Sequence, residues 1–116
     1  MIERTGEMFE DRERGYEAKW AHDAETLFRI RARRDTRLGE WAAARMNLHD
    51  SLIEEYVAAL VQTGLSGKGP DPVLEKIRAD FQARGVACSD ADLQAEARSQ
   101  RAEAEEYFRP KARGDD

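Results

Sequence analysis

Residues 71–85, DPVLEKIRADFQARG, read as one complete helix with both of its stops. Asp71 offers a side-chain N-cap, and Pro72 suits the first helical position, where its missing N–H leaves nothing unpaired. Val73/Leu74, Ile77 and Phe81 then recur at the three-to-four spacing of a single buried face, and Gly85 is a residue on which helices stop. A helix of this length is marginal in water by itself, so its apolar face predicts other helices packed against it.

The flanking sequence supplies them. Upstream, Leu52/Ile53, Tyr56/Val57 and Leu60/Val61 form the most apolar stripe of the chain. That helix starts near Asp50 or Ser51, with Ser51 and Glu54 at capping-box spacing. Gly64, Ser66, Gly67, Gly69 and Pro70 mark the loop between the two helices. Downstream, Ser89 with Asp92 caps a fourth helix whose inner face (Leu93, Ala97, Ala104, Tyr107/Phe108) is thin, and Pro110 ends it. Nearest the N-terminus, a long pattern from Tyr16 to Met46 keeps one face through Trp20, Ala24, Leu27/Phe28, Leu38, Trp41/Ala42 and Met46. This stripe thins between Phe28 and Leu38, where arginines gather. Nothing alternates with period two. The fold class is therefore all-α: a four-helix bundle over residues 16–110, antiparallel because its connections are short, with a mobile N-terminal arm at 1–15 and a disordered tail at 111–116.

A chain of 116 residues holds one domain. Charged residues make up 37% of it and the mean hydropathy is -0.81, so part of the chain lies outside any core. The large apolar residues run from Trp20 to Phe81, which leaves the first fifteen residues as that part. A net charge of -5 argues against nucleic acid as the main partner. A lone Cys88 fits a reducing cytoplasm. The N-terminus lacks the apolar stretch of a secretory signal, and no run approaches the ~20 apolar residues needed to span a bilayer. The chain is expected in the cytoplasm, with no direct membrane insertion.

Catalytic chemistry finds no foothold. His22-Asp23 resembles the paired ligands of metal phosphohydrolases, but His49 is the only other histidine and no zinc-like spacing exists, so no metal and no cofactor are expected. Gly67-Lys68 is not a P-loop, since Gln62 stands where its first glycine belongs and Gly69 where Ser or Thr must follow the lysine. Ser51 is better used as a cap, and Cys88 as a small packed residue. No nucleophile, base and orienting group can be assembled, so the chain is not read as an enzyme. Arg29, Arg33 and Arg37 lie at i, i+4 and i+8, with Arg31 and Arg34 projecting elsewhere. They fit either a weak RNA- or phosphate-binding surface or a solvated face paired with Glu25 and Asp35, and the absence of interleaved aromatics favours the second.

The arm carries more information. Phe9, Tyr16, Trp20, Ala24 and Leu27 continue one aromatic-rich stripe into the first helix. Glu10–Arg14 is a favourable i, i+4 pair, whereas Glu7–Asp11 and Glu13–Glu17 repel. Gly15 costs a helix interior about 1 kcal/mol relative to Ala. Spacing alone fits two readings equally: a frayed extension of the helix, and an arm that becomes helical in a partner's groove.

The segment from Phe9 to Glu25, FEDRERGYEAKWAHDAE, followed by Phe28, Ala32-Arg33-Arg34 and Leu38-Gly39-Glu40-Trp41-Ala42-Ala43, resembles the alphaproteobacterial zeta subunit family, inhibitors of the F-type ATP synthase. The register holds without a gap as far as Ala43, and beyond it the likeness is mainly one of helical plan. The resemblance implies a four-helix bundle with a mobile arm that inserts at an alpha/beta catalytic interface of the synthase head, beside the gamma rotor. There the arm becomes helical and blocks rotation in the hydrolytic direction, leaving synthesis largely possible. The inhibitory residues it implies are Phe9, Asp11, Arg12, Glu13, Arg14, Tyr16, Glu17 and Lys19, with Trp20 starting the mount. It implies a protein that lies at the inner membrane only through the synthase. Family members tend to start near the position of Met8, which makes residues 1–7 an extension or Met8 the true start. Gly15 replaces an expected Ala, and Trp20 stands where Phe is usual. The rival reading is a bundle that keeps this fold and binds a different protein.

If the arm is mobile in the free protein, trypsin should cleave at Arg4, Arg12 or Arg14 well before any site within the bundle. A digestion time course followed by mass spectrometry checks this; first cuts inside the helices would contradict it.

Overall fold

A computed structural model describes residues 23–110. They form four helices: α1 (Ala24–Arg45), α2 (Ser51–Ser66), α3 (Pro72–Arg84) and α4 (Asp90–Phe108). No strand occurs among the described residues. Helix α1 packs on both α2 and α4, and α3 touches the same two from the other side, which closes a ring of four. Glycines and arginines fix the directions. Gly39 faces Val57 and Leu60 while Gly64 faces Asp35, so α1 and α2 run antiparallel. Arg33 meets Glu103 and Arg45 reaches the Ala87 carbonyl, so α1 and α4 do too.

Each helix is started or stopped by local chemistry. Asp71 accepts from the Leu74 N–H at 3.3 Å, with Pro72 next. Ser89 accepts from the Asp92 N–H at 3.0 Å. Gly85 has φ 68°, and the Val86 N–H reaches back to the Phe81 carbonyl at 2.9 Å. The left-handed glycine thereby pairs a terminal carbonyl of α3 and brings Val86 against the core. That core joins Leu38 and Ala42 of α1, Met46 just past its end, Leu60 of α2, Val73, Leu74, Ile77 and Phe81 of α3, and Leu93 and Ala97 of α4. Trp41 closes it from the side, its ring 5.7 Å from that of Phe81. A smaller cluster of Ile30, Ala104 and Phe108 joins α1 to α4 near the start of α1.

Five features differ from the sequence reading. Helix α1 does not run unbroken from Tyr16: Asp23 has ψ 127°, outside the helical region, and its carboxylate accepts from the Glu25 N–H at 2.9 Å. A capping bond and a helical continuation compete for the same backbone, and the cap wins there. Residues 16–22, and with them the proposed limits of the arm, lie outside the described residues. Ser51 is the first residue of α2 and not its cap; Asp50 precedes it at φ 57° with no side-chain capping bond. The five-residue connection, 46–50, turns through two positions of positive φ, Asn47 and Asp50.

Gly64 lies inside α2, not in the loop, which starts at Gly67. Its lack of a side chain makes room for the Asp35 carboxylate. The α1 stripe does not lapse between Phe28 and Leu38, since Ile30 and Asp35 are buried there. Conversely, Leu27, Phe28 and Leu52 stay exposed. They lie within the first two turns of their helices, and α2 buries only Leu60 fully although its sequence is the most apolar.

Gly64 and Gly39 make a graded test of this close approach. A Cβ on Gly64 would collide with Asp35 Oδ2 and lie 3.2 Å from Val73 Cγ2; on Gly39 it would lie 3.1 Å from Val57 Cγ2. Alanine gains up to about 1 kcal/mol in helix propensity, against about 1–3 kcal/mol for overpacking. Gly64→Ala should therefore lower the unfolding free energy by about 1–2 kcal/mol in urea titrations, and Gly39→Ala by less. An unchanged Gly64→Ala midpoint would mean that Asp35 is free to move aside.

Candidate functional site

Every residue assigned to the inhibitory arm (Phe9, Asp11, Arg12, Glu13, Arg14, Tyr16, Glu17, Lys19 and Trp20) lies outside the described residues. The structure shows the base from which they leave. Asp23 ends the chain's approach, and α1 starts alongside the last turns of α4. Under this end Ile30 and Ala104 are fully buried. Above them Arg33 grips Glu103 with two bonds, Nε to Oε1 at 2.9 Å and Nη2 to Oε2 at 2.7 Å. The bonds from Arg33 hold the Glu103 carboxyl below the usual carboxylate range. The same guanidinium lies 3.7 Å from the centre of the Tyr107 ring, which meets Phe108 edge-on at 4.9 Å. Phe28 and Tyr107 are 54% and 61% exposed, so this end presents aromatic surface to solvent.

The arginine run is not one basic face. Arg29 pairs with Glu25 on the same helix. Arg33 is held by Glu103, and Arg34 turns inward to Asp71 at 3.0 Å. Arg29, Arg31 and Arg37 are the exposed members of the run, Arg29 within its pair to Glu25. The pairing with Glu25 is as the spacing predicts. The one with Asp35 is not a solvated contact, because Asp35 is only 2% exposed.

That buried carboxylate is the main polar residue that sequence reasoning missed. Asp35 lies 3.7 Å from Arg34 Nε through Oδ1, and neither of these atoms has a hydrogen-bond partner. Burial pushes its carboxyl up to about 6, partly countered by Arg34 and reinforced by Asp71. Arg34, Asp71 and the neighbouring Arg98, Arg101 and Glu105 line a cleft of about 470 Å³ between α1, α3 and α4. No Ser, Cys or His is among its lining residues. Arg101 is tied to Glu105 on the same helix at 2.8 Å, whereas the pair of Arg34 with Asp71 joins α1 to the start of α3. Elsewhere, Tyr56 donates to Asp80 at 2.8 Å, Cys88 is half-buried and His49 is exposed. No cluster of His, Cys, Asp and Glu able to hold a metal ion occurs among the described residues. No helix there is long and apolar enough to cross a membrane.

Polar side chains that tie helices to one another, an exposed aromatic end, and a distinctive segment preceding the first cap define a helical-bundle protein built for binding. A family model described as ATPase inhibitor subunit zeta matches residues 6–107 in one stretch, and the chain belongs to that family. The match runs well past Ala43, so α2, α3 and most of α4 share the family pattern along with the arm. Its role is accordingly regulatory, that of an ATPase inhibitor. No curated protein and no solved structure matches the chain.

Asp35 gives the bundle an unusual pH dependence. Its carboxyl is raised in the folded state from an ordinary 3.8 to about 6, so the folded chain holds this proton more tightly than the unfolded one. Stability contributed by Asp35 is full below about pH 4 and is lost as pH rises through 6. Asp35→Asn removes this dependence. From pH 4 to pH 7.5 the difference in unfolding free energy between variant and native protein should shift by about 2–3 kcal/mol in the variant's favour. Urea titrations at the two pH values measure it; a constant difference would mean that the Asp35 carboxyl titrates alike in the folded and unfolded chain.

Proposed function

We propose that the chain inhibits ATP hydrolysis by the F-type ATP synthase by inserting its N-terminal arm at an alpha/beta catalytic interface of the head, beside the gamma rotor. The observation that carries this reading is the single family match that takes in the arm positions 9–20 and the bundle together. In the inserted arm, Phe9, Tyr16 and Trp20 present the apolar stripe. Asp11, Arg12, Glu13, Arg14, Glu17 and Lys19 supply the charges that set its register. An isolated helix of this length, with Gly15 and two repelling pairs, does not hold its shape in water; a groove supplies the missing burial, and the arm folds as it binds. The four-helix bundle is too bulky to follow and stays outside as a stop. Rotation in the hydrolytic direction draws such a wedge tighter, whereas rotation in the synthetic direction expels it. No bond is made or broken by this chain. It reaches the inner membrane only as a peripheral part of the synthase.

The arm and the bundle separate cleanly in a deletion test. Removing residues 1–19 leaves every described core residue in place, so the unfolding free energy should change by no more than about 1 kcal/mol. Inhibition of ATP hydrolysis by synthase-bearing membranes should disappear. The intact chain should suppress hydrolysis far more than proton-driven synthesis. Full inhibition by the truncated chain, or equal suppression of both directions, would rule out the wedge.

A further inference from the structure

The aromatic end of the bundle is left over by the fold. Phe28 and Tyr107 are each more than half exposed and Leu27 is 36% exposed, although a small polar chain has few large apolar groups to spare. Leu27 lies one turn before the buried Ile30 on α1, and Phe108 packs on the same Ile30–Ala104 cluster from α4. Tyr107 is not loose: Arg33 lies 3.7 Å from its ring centre while both of its own nitrogen contacts hold Glu103. An exposed tyrosine fixed in this way loses little freedom on being covered, the condition under which aromatic side chains contribute most to binding.

Chain length decides what covers it. Trp20 and Asp23 are three residues apart, a span of at most roughly 10 Å, and Leu27 follows about 6 Å further along α1. An arm inserted as far as Trp20 therefore draws Leu27, Phe28 and Tyr107 against the outer rim of its insertion site. The opposite end of α1, with the exposed Leu52 of α2 beside it, lies about 30 Å away and is not constrained.

We infer that Leu27, Phe28 and Tyr107 form a second contact of the bundle with the same partner, an apolar seat on the surface of the synthase head flanking the arm's insertion site. This rests on the function proposed above. Inhibition is then a two-point attachment, in which the seat adds affinity by tethering and the arm alone obstructs the rotor.

The test compares full-length Phe28→Ser/Tyr107→Ser with Leu52→Ser and native protein. All three are checked for unchanged helicity and then titrated onto purified synthase head for binding and ATP hydrolysis. The seat requires the double variant to bind about tenfold or more weakly, yet to inhibit as completely at saturation, while Leu52→Ser matches the native chain. Equal affinity of the double variant would overturn the seat while leaving the wedge standing. Tighter binding would overturn it too, assigning the surface to this chain's own arm in the free state. So would native protein that self-associates in sedimentation when the double variant does not, since the occupant is then a second copy. Native protein that neither binds nor inhibits the head would remove the proposed function, and the seat with it.

Discussion

Close approach between α1 and α2 is the constraint on which the remaining arrangement depends. Two glycines permit it: Gly39 lets Val57 and Leu60 reach the backbone of α1, and Gly64 lets α2 accept the Asp35 carboxylate. Asp35 brings Arg34 with it, and Arg34 bonds Asp71, whose other carboxylate contact caps α3. One buried acidic group thus fixes the spacing of α1 and α2 and, through a single arginine, the place where α3 begins. Burying a charge that is only partly hydrogen-bonded costs stability, and replacement of such groups by apolar ones is often neutral or better. Its use here is positional, because an all-apolar seam between two short helices would leave their register free to slip.

The elements most legible in the sequence were those whose two ends carried chemistry. Asp71-Pro72 and Gly85 bracket α3 as the order of residues indicates, and all four of its inward positions are buried. Ser89 and Pro110 did the same for α4. Where a decision rested on one residue type, tertiary contacts overrode it. Gly64 reads as a loop residue by propensity, yet lies in a helix because Asp35 needs the space. Asp35 reads as surface by type, yet three residues before Leu38 and seven before Ala42 it falls on the buried face; period should have outweighed polarity there. Ser51 lost its capping role to a connection that takes a positive φ at Asp50, a geometry with no signature in the capping pattern.

The candidate site divides in the same way. The residues of the proposed arm are legible only as a pattern, since they lie outside the described residues. The base is legible in reverse: Leu27, Phe28 and Tyr107 sit at helical positions suited to a core, and only the folded bundle reveals that none of the four described helices covers them. Glu103 carries no signal of its own in the sequence, being one of many acidic residues. Its part becomes visible when Arg33 is seen to choose it over the nearer charges on α1.

The cap at Asp23 has a consequence for how such a chain can change. In an unbroken helix, adding or losing one residue ahead of Ile30 would turn everything upstream by about 100° relative to the buried face. A non-helical ψ at Asp23 interrupts that phase relation. Residues before it can be inserted, deleted or exchanged without rotating the stripe that builds the core, and the core can drift without re-aiming what precedes it. The two parts of one short gene product are thereby free to evolve as if they were separate modules, joined by a single carboxylate that resets the helical count to zero.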